Sequence, residues 1–179
     1  MVRWVFGYGS LVWRSDIEHD EAVPARIVGW ARRFWQSSTD HRGVPGAPGR
    51  VATLVPEPRG QVIGRAYRIP ESVLDQTLAR LDHRERGGYA REILPLLPLD
   101  GDGAFAEGLV YRATPDNPNW AGPAPIRQIA RQVLASVGPS GPNPEYLLRL
   151  HEALAAWDAV DDHLDAIVRE MEAIRSGRA

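Results

Sequence analysis

The chain has 179 residues, 44% of them hydrophobic and 25% charged, with a formal net charge of −2. That length and balance predict one folded domain over residues 1–179 with a sizeable core, and exclude a disordered chain. They offer no basic surface to nucleic acid or anionic lipid, so neither nucleic acid nor membrane is an expected partner.

Two absences narrow the chemistry. There is no cysteine, which removes disulfides, thiolate zinc sites, iron–sulfur clusters and a thiol nucleophile. There is no lysine either, since all 21 basic residues are arginine. A Schiff base, a pyridoxal-phosphate anchor and a phosphate-loop lysine are therefore impossible. No apolar run approaches a membrane span and no signal-peptide pattern opens the chain, so a cytoplasmic protein is expected.

Short strands come first. Arg3 to Phe6 reads as a strand running into a glycine turn, and Ala25 to Trp35, Arg50 to Val55 and Gln61 to Ile69 read as three more. Val73, Leu74, Leu78 and Leu81 sit at helical spacing and predict a helix over 71–81. A polar turn follows over 82–88. Tyr89 to Leu97 and Phe105 to Ala113 predict two strands around Asp100-Gly101-Asp102-Gly103. The last third is helical. Pro125 to Val137 is a helix stopped by Gly138-Pro139, and Asn143 with Pro144 after it predicts the N-cap of another. A last helical piece carries Leu164, Ile167, Val168, Met171 and Ile174. Strands first and helices last argue for an α+β fold. Residues 37–50, with three glycines and two prolines, predict a long loop of the lid or binding type.

Two features bear on chemistry. Gly7-Tyr8-Gly9-Ser10-Leu11-Val12 follows a strand, and successive N–H groups in such a turn can make an anion-binding nest. It fails as a dinucleotide fingerprint, because the third glycine is replaced by Val12. Read alone, such a turn is more often structural. Glu85 stands between Arg84 and Arg86, before Gly87-Gly88. It reads either as one member of a solvated charge cluster or as a carboxylate aimed into a cleft. The five histidines show no i, i+4 pair, so no metal site is expected. Asp158, Asp161, Asp162, His163 and Asp165 read as a solvated helical face and its connection.

The chain resembles the ChaC-type γ-glutamylcyclotransferases. Val5-Phe6-Gly7-Tyr8-Gly9-Ser10-Leu11-Val12-Trp13-Arg14 is similar to that family's opening signature. Arg32-Arg33-Phe34-Trp35-Gln36, then Ser38-x-Asp40-His41-Arg42-Gly43 and Pro48-Gly49-Arg50-Val51, resemble a stretch peculiar to the ChaC branch. Leu81-Asp82-x-Arg84-Glu85-x-Gly87-Gly88-Tyr89 resembles the segment that carries the family's catalytic glutamate. Asp116-Asn117-Pro118 and Gly138-Pro139-Ser140-Gly141 also fit. One departure is Gln76, where some relatives carry an acid nine residues before that glutamate.

The resemblance implies a γ-glutamylcyclotransferase-like fold: a compact mixed β-barrel or sheet with surrounding helices and a helical C-terminus. It implies intramolecular aminolysis of a γ-glutamyl amide, usually glutathione, giving 5-oxoproline and cysteinylglycine, with no cofactor and no metal. Glu85 is then the catalytic acid/base. Gly7, Tyr8, Gly9, Ser10, Leu11 and Val12 form the substrate-binding loop, with Tyr111 as a further hydroxyl in the pocket. The small-molecule substrate is the expected partner, on a monomer or weak oligomer. Glu85 would need a raised pKa, so Arg84 and Arg86 are expected to turn away from it. Loop 37–50 is expected to close over the cysteinylglycine end, with Arg42 or Arg50 reaching its carboxylate.

Overall fold

The computed structural model describes residues 2–14, 16–84 and 88–178, with Arg84 described by its backbone alone. The chain divides into two compact units. One comprises residues 1–31 and 54–118, the other 32–53 and 119–179. Two long strands run from one into the other.

The first unit holds most of the sheet. Strand β1 (Trp4–Gly7) is followed by a single 3-10 turn at Ser10–Val12. Strands β2 (Glu21–Ser38) and β3 (Gly49–Arg68) come next. A 3-10 turn at Glu71–Val73 then leads into helix α1 (Leu74–Arg84), followed by β4 (Tyr89–Leu96) and β5 (Ala106–Ala113). The sheet order is β2-β3-β1-β5-β4. β1 is antiparallel to β3 and parallel to β5, with Val5 opposite both Tyr67 and Leu109. The sheet is therefore mixed, as expected. It is not a closed barrel: β2 returns toward the end of β4 at one antiparallel bridge, Arg26 to Leu97, with both N–H···O bonds at 2.9 Å.

Burial explains why α1 lies where it does. Leu74 and Leu81 are buried with Val5, Tyr67, Ile69, Leu109 and Tyr111 in one cluster, and Leu78 and Leu11 pack against it. The helical spacing read from the sequence is thus the face α1 turns to the sheet. Leu11 and Tyr111, both expected site residues, belong to the same cluster.

The second unit contains α2 (Ile126–Ala135), a two-residue hairpin of β6 (Val137–Gly138) and β7 (Gly141–Pro142), α3 (Asn143–Ala155) and α4 (Asp162–Arg175). The helical C-terminus is present as expected. α4 buries Leu164, Ile167, Val168 and Met171, an i, i+3, i+4, i+7 stripe. α2 contributes Ile129, Ala130 and Val133, and α3 contributes Tyr146, Leu147, Leu150 and Leu154.

Four expectations need correction here. Arg50 to Val55 and Gln61 to Ile69 are one strand, β3, with an exposed stretch at 56–59 in its middle. The chain turns sharply there: a Cβ on Gly60 would lie 2.8 Å from Glu57 Cγ. Prolines 56 and 58 are tolerated because that stretch faces water. Asn143 does not cap α3. Its amide pairs with both backbone groups of Arg50, accepting from the N–H at 2.6 Å and donating to the carbonyl at 2.8 Å. A buried amide makes two bonds in that way and spends none on the helix end. Regular strand extends through Ser38 and resumes at Gly49, so the loop is 39–48, and it is anchored. Arg42 N–H donates to Ser38 Oγ at 2.9 Å, Ser140 N–H donates to the His41 carbonyl at 2.9 Å, and Val44 bridges Ala47.

The acidic stretch before α4 is the fourth. Asp161 caps the helix, accepting from Leu164 N–H at 3.0 Å, and pairs with Arg32 at 2.5 Å. The Arg32 side chain is 1% exposed. His163 lies against Phe34, its Nε2 accepting from the Phe34 N–H at 3.2 Å. Burial first, then the charge of Arg33, lowers its pKa from 6.5 to about 4, against an opposing pull from Asp161. Asp161 and His163 thus form a partly buried junction, while Asp158 and Asp162 are exposed as expected of a solvated face. Charged letters read as solvent-facing until their partner, here Arg32 far back in the chain, is known.

Candidate active site

The glycine loop is built by close packing. β1 ends at Gly7, and a Cβ there would collide with Leu11 Cβ. Gly64 on β3 is equally tight, since its Cβ would collide with the Gly7 carbonyl. Only hydrogen at both positions lets the loop fold back on itself and lie flat on β3. The turn then closes with Val12 N–H donating to the Gly9 carbonyl at 3.0 Å and Arg14 N–H donating to Ser10 at 2.9 Å. Val12 is fully buried, so it anchors the loop by its side chain.

Two tyrosines fix the loop to the sheet. Tyr8 Oη donates to the Tyr111 carbonyl at 2.7 Å, and Tyr67 Oη donates to the Leu11 carbonyl at 2.5 Å. Tyr111 stands on β5, and its own hydroxyl donates to Asp82 Oδ1 at 2.6 Å. Asp82 lies in the last turn of α1, three residues before Glu85 in the chain. Arg91 on β4 donates from Nε to the same oxygen at 2.6 Å, and its terminal nitrogen pairs with Asp82 Oδ2. The loop, Tyr111 and the end of α1 are thus linked bond by bond within one unit.

The chain re-enters on the other side of Glu85 at Gly88, with φ of +88°. A Cβ there would sit 3.0 Å from Asn117 Nδ2 and 3.3 Å from Pro118 Cδ. Asn117 is buried, with its N–H donating to the Thr114 carbonyl at 2.9 Å. This is the structural use of the Asn117-Pro118 pair noted in the sequence. Glu85, Arg86, Gly87 and the Arg84 side chain lie outside the described residues. The expectation that both arginines turn away from the carboxylate concerns those same atoms. Gln76 is exposed on α1.

Arg42 and Arg50 are occupied otherwise than expected. Arg50 is 4% exposed and donates to Gln132 Oε1 at 2.7 Å and to the carbonyls of Phe34 and Gly122, each at 3.2 Å. Burial lowers its pKa from the usual guanidinium value. Arg42 donates to the Pro142 carbonyl at 3.0 Å and lies over the Tyr146 ring. Within the second unit Arg50 ties the start of β3 to α2, and Arg42 ties the 39–48 loop to β7 and α3. Among the described residues there is no group of three acidic or histidine side chains placed to hold a metal ion, and no helix is long and apolar enough to cross a membrane.

The family model for ChaC-like proteins matches residues 3–174. The chain belongs to the ChaC family. It is 44% identical over 169 residues to glutathione-specific γ-glutamylcyclotransferase 1 of Homo sapiens, covering 92% of this chain and 76% of that protein. It is 41% identical over 182 residues to γ-glutamylcyclotransferase 2-3 of Arabidopsis thaliana, covering 98% and 92%. The crystal structure of the yeast γ-glutamyl cyclotransferase specific to glutathione superposes with a TM-score of 0.86 at 32% identity, covering 94% of this chain and 95% of that one. The ChaC fold is therefore the open mixed sheet described above with its C-terminal helices.

What the sequence reasoning missed at this site is Asp82 and Arg91. Asp82 stood inside the quoted motif, but nothing in its spacing points to Tyr111 or Arg91. That contact depends on the β4–β5 register, which sets Arg91 opposite Tyr111.

Proposed function

We propose that this ChaC-family chain is a γ-glutamylcyclotransferase that cleaves glutathione into 5-oxoproline and cysteinylglycine. The observation that carries this is family membership across residues 3–174, at 44% identity to a relative named for glutathione. Both units fall within that match, which supports reading residues 1–179 as one domain.

The substrate's α-amine attacks its own γ-carbonyl carbon. A five-membered ring forms, the bond to the cysteine nitrogen breaks, and the proton lost by the amine ends on the leaving amine. Glu85 takes that proton from the attacking amine and delivers it to the leaving nitrogen. The amine itself is mostly protonated near neutrality, because an α-amino group titrates at about 7.7–8.0. The loop from Gly7 to Val12 cradles the γ-glutamyl head, with N–H groups other than that of Val12 facing the α-carboxylate or the developing oxyanion. Holding the head in its folded conformer recovers roughly 7–11 kcal/mol of the barrier, as for any well-oriented intramolecular attack. The chain acts in the cytoplasm on this small molecule, as a monomer or weak oligomer.

The test is direct. Purified protein incubated with glutathione, without added metal or nucleotide, yields 5-oxoproline. Free glutamate in its place would mean hydrolysis, and absence of product would mean a binding module of the same fold. The Arabidopsis relative's name specifies no substrate. Turnover of other γ-glutamyl amines in the same assay distinguishes a broad enzyme from a glutathione-specific one.

A further inference from the structure

The ring and the hydroxyl of Tyr67 do different things. The ring is fully buried in the core, among Val5, Ile69 and Leu109, and Leu11 packs against the same cluster. The hydroxyl leaves that core and donates to the Leu11 carbonyl at 2.5 Å. A carbonyl cannot donate, so the direction is fixed. That carbonyl belongs to the peptide unit joining Leu11 to Val12. A trans peptide points its C=O and its N–H to opposite sides, and the described residues contain no cis bond. The N–H of the same unit, on Val12, donates to the Gly9 carbonyl at 3.0 Å. One peptide plane is thus held from both sides, by a phenol fixed in the core and by the loop's own turn.

The course of the turn explains why a side chain is used. A continuing 3-10 turn would bring the Arg14 N–H to the Leu11 carbonyl. Arg14 donates instead to the Ser10 carbonyl at 2.9 Å, beside Trp13 at 3.3 Å. The Leu11 acceptor is left to Tyr67.

We infer that the Tyr67 hydroxyl is a positioning group for the known loop: it keeps Gly7 to Val12 in their binding shape before substrate arrives. This rests on the cyclotransferase reading above, in which the loop holds the γ-glutamyl head. Fixing the Leu11–Val12 plane also fixes the Gly9 carbonyl that it grips. With that carbonyl goes the Gly9–Ser10 plane, whose N–H is turned the opposite way. One phenol therefore orients two peptide units of the loop. Without it the loop samples other shapes, and substrate binding must first select the right one. Apparent affinity then falls in proportion to the fraction of molecules that hold that shape. The chemical step starts from the occupied loop and keeps its rate.

Tyr67→Phe retains the ring and its packing and deletes only the hydroxyl. Its KM for glutathione rises roughly tenfold while kcat stays within about twofold of the parent, the mark of lost binding and not of a lost transition-state contact. Amide hydrogen exchange reads the loop without any substrate. In the variant the Val12 amide exchanges roughly tenfold faster, and the Val5 amide on β1 stays within about twofold. A purely structural Tyr67 would leave KM alone and speed Val5 as much as Val12. A KM within about twofold of the parent, a fall in kcat at unchanged KM, or equal acceleration at both amides overturns the inference. Should the variant not fold, the unmodified protein decides: the clamp requires protection at Val12, and exchange there at the rate of an open chain overturns it. Absence of 5-oxoproline from the unmodified protein would remove the cyclotransferase reading, and exchange at Val12 would still decide whether Tyr67 holds the loop.

Discussion

The two units use polar groups in opposite ways. In the second, charged side chains are buried and their hydrogen bonds go to backbone carbonyls or fixed side chains: Arg50 among Phe34, Gly122 and Gln132, Arg32 on Asp161. In the first, the network of Tyr111, Asp82 and Arg91 is partly open, with side chains 39% and 48% exposed at Asp82 and Arg91. A buried, saturated ion specifies an architecture, and removing its partner leaves an expensive orphan. An accessible carboxylate with one aromatic and one cationic partner costs little to keep. The two carboxylate–guanidinium pairs thus differ in burial: Arg32–Asp161 is enclosed and Arg91–Asp82 is open to water.

The largest effect expected from this contrast is kinetic and belongs to the first unit. Glu85→Gln lowers kcat for 5-oxoproline formation by roughly 10²–10⁴-fold, the usual contribution of a general acid/base, while the melting temperature stays near that of the parent. Substantial residual turnover would remove Glu85 from the mechanism. The next effect is on stability and belongs to the second unit. Asp161→Ala removes the cap of α4 and the ion pair of the buried Arg32, so chemical denaturation should show a loss of about 3–5 kcal/mol. A loss below 1 kcal/mol would mean that burial does not mark structural charges here.

His163 supplies a pH test of the same contrast. Its folded pKa is depressed, so the neutral form is favoured in the native state. Its contribution is full above about 6.5 and is lost as pH falls toward about 4. Stability should fall with a slope approaching about 1.4 kcal/mol per pH unit in that window from this group. His163→Gln keeps an acceptor for the Phe34 N–H and should flatten that slope; an unchanged slope assigns the acid sensitivity elsewhere. The smallest effect is at Gly88. Alanine there meets both a left-handed backbone and the Asn117 amide, and should cost about 1–2 kcal/mol by thermal melting. If it costs nothing, the seating of the chain after Glu85 is looser than the contact with Asn117 implies.

The parts of the fold legible in the sequence were those with local causes. The 3.6-residue spacing of Leu74, Leu78 and Leu81 gave α1, and the stripe from Leu164 to Met171 gave α4. That Arg50 to Val55 and Gln61 to Ile69 form one strand was not legible, because whether prolines 56 and 58 can be carried in a strand depends on whether their backbone faces water, which is a tertiary fact. Asn143 misled for the same reason: its position before Pro144 suits a cap, but a strand 93 residues away offered its amide two bonds. The site was legible only through motif resemblance. Gly7 and Gly64 meet through the β1–β3 register, and Tyr111 meets Asp82 through the β4–β5 register. No local pattern encodes either meeting.

The bridge between Arg26 and Leu97 also bears on the company the protein keeps. An open sheet ends in rows of unpaired backbone groups, which invite another chain to add a strand. Here β2 and β4 are the terminal strands of the sheet. The bridge occupies both backbone groups of Arg26 and Leu97, and Pro95 just before it has no N–H to offer. The sheet is left unclosed, yet a proline and one pair of hydrogen bonds leave a stray strand little to grip at that end of β4.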